Sequence, residues 1–368
     1  MFYNNCYGIY LSGASNITIA NVVIENVTSS DPYGIVLKNS KNITLINNTM
    51  RDAILFIDGS SIEHFSTHNI TSNNRIDSKP IYYVANNNSA VLPTGGGEYI
   101  IANSTNVTLS SDTFDNMYMV FEVAYSDNIT VQDTSFRRCN ISIRVIHSNI
   151  TLMDSVFERN EKGIYSLDSH INIVNSTFIN NTVGIVSEGT SKVDIYGDSF
   201  INSRIKALDY TVVDIGYSNF AAEAVNVSSY EMLYVETSAS IKVNSSMFSV
   251  YAEGQNTEAY ILYSYGKTWI ANTHMDAKGY DLAMAIAIWI SNNITIENST
   301  FNAIAYDGGV VFLVAVRPEY HLNITKSKFS IKSIDFSDNT YVEAIDLYQC
   351  SAVIDLSLIH ISEPTRPR

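Results

Sequence analysis

The residues best suited to chemistry interrupt a column of threonines. A tripeptide of apolar, polar and apolar residues recurs along the chain, and its middle position is threonine in the first five copies and again at Thr295. Five successive copies in between depart from threonine. Their middle residues are Asn172, Asp194, Asp214, Lys242 and Trp269. Carboxylates, an ammonium group and an indole at equivalent positions could bind a saccharide or take part in cleaving one.

The two aspartates form a candidate catalytic pair. If neighbouring copies stack, Asp194 and Asp214 lie near the separation of roughly 5 Å that retaining glycosidases use for acid and nucleophile. Five further residues are candidates for substrate binding. They are Tyr196, Arg204, Lys206, Lys242 and Trp269. In the competing interpretation the carboxylates are solvated charges on an outer strand face and the protein is not an enzyme. Both interpretations stay open at this point.

A second cluster could hold a divalent ion. His147, Asp168 and His170 fall at equivalent turns, with Asp133 and Asp154 nearby, and imidazole and carboxylate groups are metal ligands. The two histidines, however, replace a turn serine and a turn asparagine of the repeat. Because a turn position explains them without a ligand, we predict no metal and no cofactor.

The recurring tripeptide predicts short strands. Twelve copies are present, about 20 to 28 residues apart except for one longer interval. Their first residues are Ile17, Ile43, Val107, Ile129, Ile150, Ile171, Val193, Val213, Ile241, Thr268, Ile294 and Leu322. Seven residues after each of these comes an apolar residue, most often phenylalanine. Apolar and polar residues that alternate between turns of Asn, Ser, Asp and Gly indicate strands rather than helices.

So small a unit cannot fold alone and must stack on its own copies. We therefore predict an all-β parallel solenoid of about 12 to 14 coils with an internal ladder of phenylalanine rings. Four asparagines should share a second, polar column at one turn. They are Asn47, Asn175, Asn272 and Asn298. The longer interval, between Met50 and Phe114, should hold a degenerate coil around Ile70 and a glycine-rich excursion.

These residues resemble the right-handed parallel β-helix repeat families, which include pectate-lyase-like carbohydrate enzymes, NosD-like accessory proteins and many surface proteins. The resemblance covers nearly the whole chain and implies a single-stranded right-handed β-helix. Arg204-Ile-Lys206 is also similar to the Arg-Ile-Lys triplet of polygalacturonase-like glycosidases, which implies that Arg204 and Lys206 hold an acidic sugar. The other motifs of those enzymes, Asn-Thr-Asp, Asp-Asp and Gly-His-Gly, have no counterpart in this sequence.

The repeat is expected to occupy residues 1–355 as one domain that is truncated at both ends. Phe2 aligns with the ladder residue Phe178, so the first coil lacks the strand that should precede it. Residues 356–368 resemble the translation of a sequencing adapter. We therefore expect a non-native tail that packs against nothing.

Composition limits the classes of partner. The chain has 22 basic and 37 acidic residues, and this acid excess argues against nucleic acid. The longest apolar run, residues 282–290, is too short to span a membrane. Eighteen Asn-x-Ser/Thr triplets suit a glycoprotein, although Asn-Ile-Thr is also the repeat's own turn and strand. We predict an extracellular or cell-surface protein that is structural or binds polysaccharide or cell-surface glycan. The alternative is a polysaccharide lyase or glycosidase that acts on the outer face.

Overall fold

The computed structural model describes residues 7–25, 27, 32–254, 257–280, 284–290, 292–306, 310–316, 321–333, 341–347 and 351–362. The chain divides into two compact units, Met1–Asn172 and Ile173–Arg368. Strands predominate in both units. Among the described residues there is one short α-helix, α1, at Glu63–Ser66.

The strands are short and follow one another closely. The first twenty-one are β1 Tyr7–Ser12, β2 Thr18–Ala20, β3 Val23–Ile24, β4 Tyr33–Lys38, β5 Thr44–Ile46, β6 Thr49–Met50, β7 Ile54–Asp58, β8 Asn69–Ile70, β9 Arg75–Ile76, β10 Lys79–Ala85, β11 Ala90–Val91, β12 Glu98–Ala102, β13 Thr105–Ser110, β14 Thr113–Asp115, β15 Met119–Ala124, β16 Asp127–Gln132, β17 Ser135–Arg137, β18 Ile141–Ile146, β19 Asn149–Met153, β20 Val156–Glu158 and β21 Lys162–Leu167. The others are β22 His170–Val174, β23 Thr177–Ile179, β24 Val183–Glu188, β25 Lys192–Tyr196, β26 Ser199–Ile201, β27 Ile205–Ala207, β28 Val212–Gly216, β29 Asn219–Val225, β30 Tyr230–Val235, β31 Ser240–Asn244, β32 Met247–Glu253, β33 Glu258–Ser264, β34 Lys267–Ala271, β35 His274–Tyr280, β36 Met284–Ile290, β37 Ile294–Glu297, β38 Thr300–Ala305, β39 Val310–Val316, β40 His321–Ser333, β41 Tyr341–Leu347 and β42 Ser351–Ser362.

The first three coils stack on one another. Their strands pair in parallel in the orders β1-β4-β7, β2-β5-β8 and β3-β6-β9, and only the last of these rows continues, through β10, into a 15-stranded sheet. Thr44 is the register partner of both Thr18 and Asn69. Leu45 pairs with Ile70, which confirms the degenerate coil predicted around Ile70.

A hairpin then reverses the chain. β9 pairs antiparallel with β10, and the two residues between them, Asp77 and Ser78, have φ values of 47° and 73°. Positive φ at both loop residues is the signature of a type I′ turn. β10 then pairs in parallel with β12, and a second stack begins. The predicted continuous column is therefore wrong between Thr44 and Thr108, because the reversal puts these threonines in different sheets.

Phenylalanine rings fill the interior, as predicted. In the first unit the ring centroids of Phe114 and Phe136 are 5.4 Å apart. In the second unit the Phe200 ring stacks between those of Phe178, at 4.4 Å, and Phe220, at 4.6 Å. All five rings are buried. Offset stacking adds to the free energy that each ring contributes by leaving water.

Polar ladders fix the turns. Asn298 Nδ2 donates to Asn272 Oδ1 at 2.7 Å, and both residues have positive φ, which asparagine tolerates better than most residues. This pair confirms the predicted asparagine column at these two coils. A buried serine column was not predicted. The main-chain N–H of Ser126 donates to Ser148 Oγ at 2.9 Å, and that hydroxyl donates to the carbonyl of Ile146 at 2.7 Å.

The last strand crosses the predicted end of the domain. β42 runs through Ser362 and pairs in parallel with β40, with Leu358 opposite Lys328. The expectation that residues 356–368 pack against nothing is therefore wrong as far as Ser362, because the apolar and polar alternation of this segment can continue a β-ladder. Residues 363–368, and the predicted ladder residue Phe2, lie outside the described residues.

We predict that Phe200→Ala lowers the free energy of unfolding by about 3 to 5 kcal/mol, since it leaves a cavity between two stacked rings. Ile201→Ala is the matched control, because the Ile201 side chain is 40% exposed. This substitution should lower the free energy of unfolding by only about 0.5 kcal/mol. Denaturant titration of both variants measures the difference. Equal losses would contradict an internal ladder.

Candidate functional site

The outward column of unlike residues exists within the second unit. Asp194 is the register partner of Asp214, which pairs in turn with Lys242. Lys242 pairs with Trp269, and Trp269 pairs with Thr295. Each step is one coil, or roughly 4.8 Å, so Trp269 lies about 10 Å from Asp214 along the column. One sugar ring cannot contact both aspartates and the indole.

A lysine lies beside the two aspartates. Lys192 Nζ is 2.6 Å from Asp194 Oδ2 and 3.8 Å from Asp214 Oδ2. Asp214 Oδ1 is buried, and among the described residues it has no hydrogen-bond partner. The lysine offsets the repulsion between like charges on neighbouring strands. Whether the pair is catalytic stays a prediction.

The other candidate binding residues do not all join this column. Tyr196 lies two residues beyond Asp194 on β25, is 54% exposed and has its ring 5.1 Å from that of Tyr217. Arg204 lies over the ring of Tyr230, 4.4 Å from its centroid. Lys206 is on β27, whose partner strand is β30 rather than β28. Arg204 and Lys206 are thus in the same coil as Asp194, and Lys206 lies on a different sheet from both aspartates.

An open cavity of about 330 Å³ is lined in part by Trp269. Lys242, Lys267, Asn293 and Thr295 contribute to its wall. None of the described residues that line it is acidic, although the whole chain has a formal charge of -15. The cavity therefore combines a half-buried indole with two ammonium groups.

Sequence reasoning missed an aromatic column on the neighbouring sheet. Lys206, Tyr234, Tyr263 and Trp289 are successive register partners. The ring of Tyr263 stacks on that of Trp289 with centroids 4.4 Å apart. The signal was present in the sequence, since each aromatic residue is flanked by small or apolar residues in the same way as Lys206.

Sequence reasoning also missed a groove of about 640 Å³. β26 ends at Ile201, just before Asn202, whose φ is 48°, whereas β29 and β32 continue to Val225 and Glu253. The longer strands form one wall of the groove, which the side chains of Glu223 and Tyr251 line. The missing turn asparagine after Phe220 would have predicted the longer strands.

Two hydrogen-bonded groups lie at this groove. Tyr251 Oη donates to Glu253 Oε2 at 2.5 Å, and this hydrogen bond raises the pKa of Tyr251 to about 12. Asp276 Oδ1 is 3.0 Å from His274 Nε2 and accepts from Asn302 Nδ2 at 2.8 Å. The groove can therefore offer carboxylate acceptors and an aromatic ring to a polar ligand.

The histidine cluster is looser than a metal site. His147 Nδ1 is 3.7 Å from Asp168 Oδ2, and the ring of His147 lies 4.8 Å from that of Tyr125. His170 begins β22. Within the part of the chain that the structure describes, no group of three or more His, Cys, Asp or Glu residues is placed to hold a metal ion.

The fold and the family agree. The chain belongs to the family described as "Right handed beta helix region", whose profile matches residues 1–218, more than half of the chain. The all-β parallel solenoid predicted from the repeat, and the right-handed β-helix that the family resemblance implied, are thereby confirmed.

Comparisons with solved structures and with curated proteins identify no function for the chain. Among solved structures, the chain is similar to that of PfbA, a surface adhesin of Streptococcus pneumoniae, at 10% sequence identity and a TM-score of 0.25, with 87% of this chain and 83% of that chain covered. No match is found among the curated proteins. In the described part of the chain, no helix is long and apolar enough to cross a membrane.

We predict that Lys192→Met destabilises the second unit by about 0.2 to 1 kcal/mol at low salt, because it leaves two carboxylates on adjacent coils without their cation. Adding Asp214→Asn should restore most of the loss. A double-mutant cycle of thermal or denaturant midpoints checks this. Strictly additive effects would show that Lys192 and Asp214 do not interact.

Proposed function

We propose that this protein is an extracellular or cell-surface β-helix protein that binds an acidic glycan in the Trp269 cavity. The cavity's composition is the observation that carries the proposal. Trp269 offers an aromatic face for the apolar side of a sugar ring. Lys242 and Lys267 offer charge to a carboxylate or sulfate group on the same saccharide.

Electrostatics favours an anionic ligand at this position. The neighbours of Trp269 in its column are Lys242 and Thr295, so no aromatic ring occupies the adjacent positions. Two lysines and no acidic residue line the cavity itself, which is a local reversal of sign in a chain with a net charge of -15, and the nearest carboxylate in the column is Asp214, one coil beyond Lys242. Such a reversal gives selectivity, because acidic polymers are repelled elsewhere on the surface and attracted here.

The extracellular or cell-surface location of the protein is inferred from the sequence. Eighteen Asn-x-Ser/Thr triplets would supply many glycosylation acceptors in a secreted protein. Several of these asparagines lie at turns with exposed side chains, such as Asn128 and Asn298. Analysis of the natural protein for N-linked glycans tests the setting separately from ligand binding.

We predict that Trp269→Ala weakens binding of uronic-acid or sulfated oligosaccharides at least about tenfold, or about 1.4 kcal/mol. Lys242→Met should also weaken binding and reduce its dependence on salt. Tyr210→Ala, at a tyrosine that is 67% exposed and outside the cavity, is the matched control and should bind normally. Calorimetry against acidic and neutral oligosaccharides measures all three. Wild-type affinity in Trp269→Ala would overturn the proposal.

The alternative function is a polysaccharide lyase or glycosidase that uses Asp194 and Asp214. Their placement in adjacent coils is compatible with it, since retaining hydrolysis needs two carboxyl groups roughly 5 Å apart. Under this alternative, wild type degrades a polysaccharide and Asp214→Asn does not, while both fold equally well. Under the binding proposal we expect no turnover of a polysaccharide panel by wild type, as measured by release of reducing ends and of unsaturated products.

A further inference from the structure

The edge strand of the first stack is covered by side chains instead of another strand. β7 is the last strand in the order β1-β4-β7. The main-chain N–H of Leu55 donates to Glu98 Oε2 at 3.2 Å, and the carbonyl of Ile57 accepts from Arg144 Nη1 at 3.0 Å. Glu98 and Arg144 lie on β12 and β18 of the second stack. These contacts satisfy backbone groups that an open edge would otherwise present to other chains.

The cluster at this junction has more acidic than basic groups. Arg144 binds Glu122 Oε1 and lies 3.1 Å from Asp58 Oδ1. Its guanidinium also lies over the Phe56 ring, 4.7 Å from the centroid. Glu98 and Glu122 are both fully buried. Two carboxyl groups, those of Glu122 and Asp58, therefore share the Arg144 guanidinium, and Glu98 has no cation partner of its own.

Other charged groups on the packed elements are engaged or lie further out. Lys38 on β4 is the register partner of Asp58 and is exposed. On α1, which packs on β7, Glu63 and His64 both bind Ser61 Oγ. The register partner of Arg144 on β21 is Tyr165, which is uncharged. None of these neighbours supplies a second buried cation to the cluster.

Two carboxyl oxygens at the junction lack partners. Glu98 Oε1 and Glu122 Oε2 are buried and, among the described residues, have no hydrogen-bond partner. Ile100 is the register partner of Glu122, so Glu98, two residues before Ile100, is a diagonal neighbour on the same face. An unpaired buried acceptor is costly, whereas one added proton turns one of the two oxygens into a donor.

We propose that a proton held by the Glu98 and Glu122 pair keeps β7 docked on the second stack, and that loss of this proton releases β7. We call Glu98, Glu122 and Arg144 the proton clasp. With the proton, one anionic carboxylate pairs with Arg144 and the other carboxyl is neutral. Without it, Glu98 and Glu122 are two buried anions that repel each other, while the single guanidinium, that of Arg144, is already bound to Glu122 and Asp58.

The electrostatics of both glutamates support the clasp. Burial raises the pKa of Glu122 to about 7, although Arg144 acts against this rise. Burial, reinforced by the charge of Glu122, raises the pKa of Glu98 well above its usual value. Because the folded pKa values are raised, the docked state binds more protons than the released state. Docking is therefore strongest below about pH 4.5 and weakens as pH rises through the folded pKa values.

Release would change what the surface can bind. β7 would present the N–H groups of Leu55 and Ile57 to solvent, and an exposed edge strand is a template for pairing with a second chain. We therefore expect association of copies through β7 to follow release. The proton clasp does not depend on whether the Trp269 cavity binds glycan.

Hydrogen exchange at Leu55 and Ile57 tests the clasp directly. After correction for intrinsic exchange, opening should increase by up to about tenfold for each pH unit between about 4.5 and 7 if one proton is released. Glu98→Gln imitates the protonated acid, because its amide can both accept from Leu55 and donate to Glu122. This variant should flatten the pH dependence and keep both amides protected at about pH 8. Glu161→Gln, at an exposed glutamate, is the matched control and should behave as wild type.

Infrared spectroscopy of wild type supplies a test that needs no variant. A protonated buried carboxyl group gives a C=O stretching band separate from that of carboxylates, and the band should disappear as β7 is released. Absence of the band from the folded protein at about pH 6 would overturn the proposal. A wild-type pH profile in Glu98→Gln would overturn it as well.

Discussion

Hydrogen bonding between coils is the constraint on which the rest of the structure depends. A coil of about twenty residues cannot satisfy its own backbone, so its N–H and C=O groups bind those of the coils before and after it. The spacing of roughly 4.8 Å then fixes which residues are neighbours. Side-chain chemistry consequently comes in columns. The stacked Phe178, Phe200 and Phe220 rings and the Asn272 and Asn298 amides are two columns of this kind.

Because of the same constraint, every interruption of the stack leaves backbone N–H and C=O groups that need other partners. At the hairpin of Asp77 and Ser78 the chain reverses, and β7 is left without a next coil. Carboxyl and guanidinium groups from a second sheet then form the hydrogen bonds to the β7 main chain that a neighbouring strand forms elsewhere. Backbone pairing between strands does not depend on pH, whereas the charge of a carboxyl group does. A chemically responsive contact therefore arises where regular pairing ends.

The sequence predicts the parts of this fold that repeat. The tripeptides give the register of Asp194, Asp214, Lys242 and Trp269, because alternation with period two determines which residues point outward. The reversal after Ile76 was not predictable, since Asp and Ser occur at many turns that do not reverse the chain. The placement of Lys206 away from the aspartate column could not be read from the repeat, because residues of one coil lie on different sheets. The groove at Tyr251 escaped notice because it depends on a difference in strand length between neighbouring coils.

The aspartate pair and the Trp269 cavity differ in what their geometry can prove. In a parallel stack any two outward residues in the same position of adjacent coils are roughly 4.8 Å apart, whatever they do. The separation of Asp194 and Asp214 is therefore imposed by the fold and cannot by itself indicate a retaining mechanism. A cavity is different, because equal coils make a flat face, and a hollow needs side chains or strands of unequal size. Lys242, Trp269 and Thr295 differ in size, and the hollow they border also gathers positive charge on an acidic chain. Concavity and charge are both unexpected for a uniform ladder, so Trp269 is the better guide to function than the aspartates.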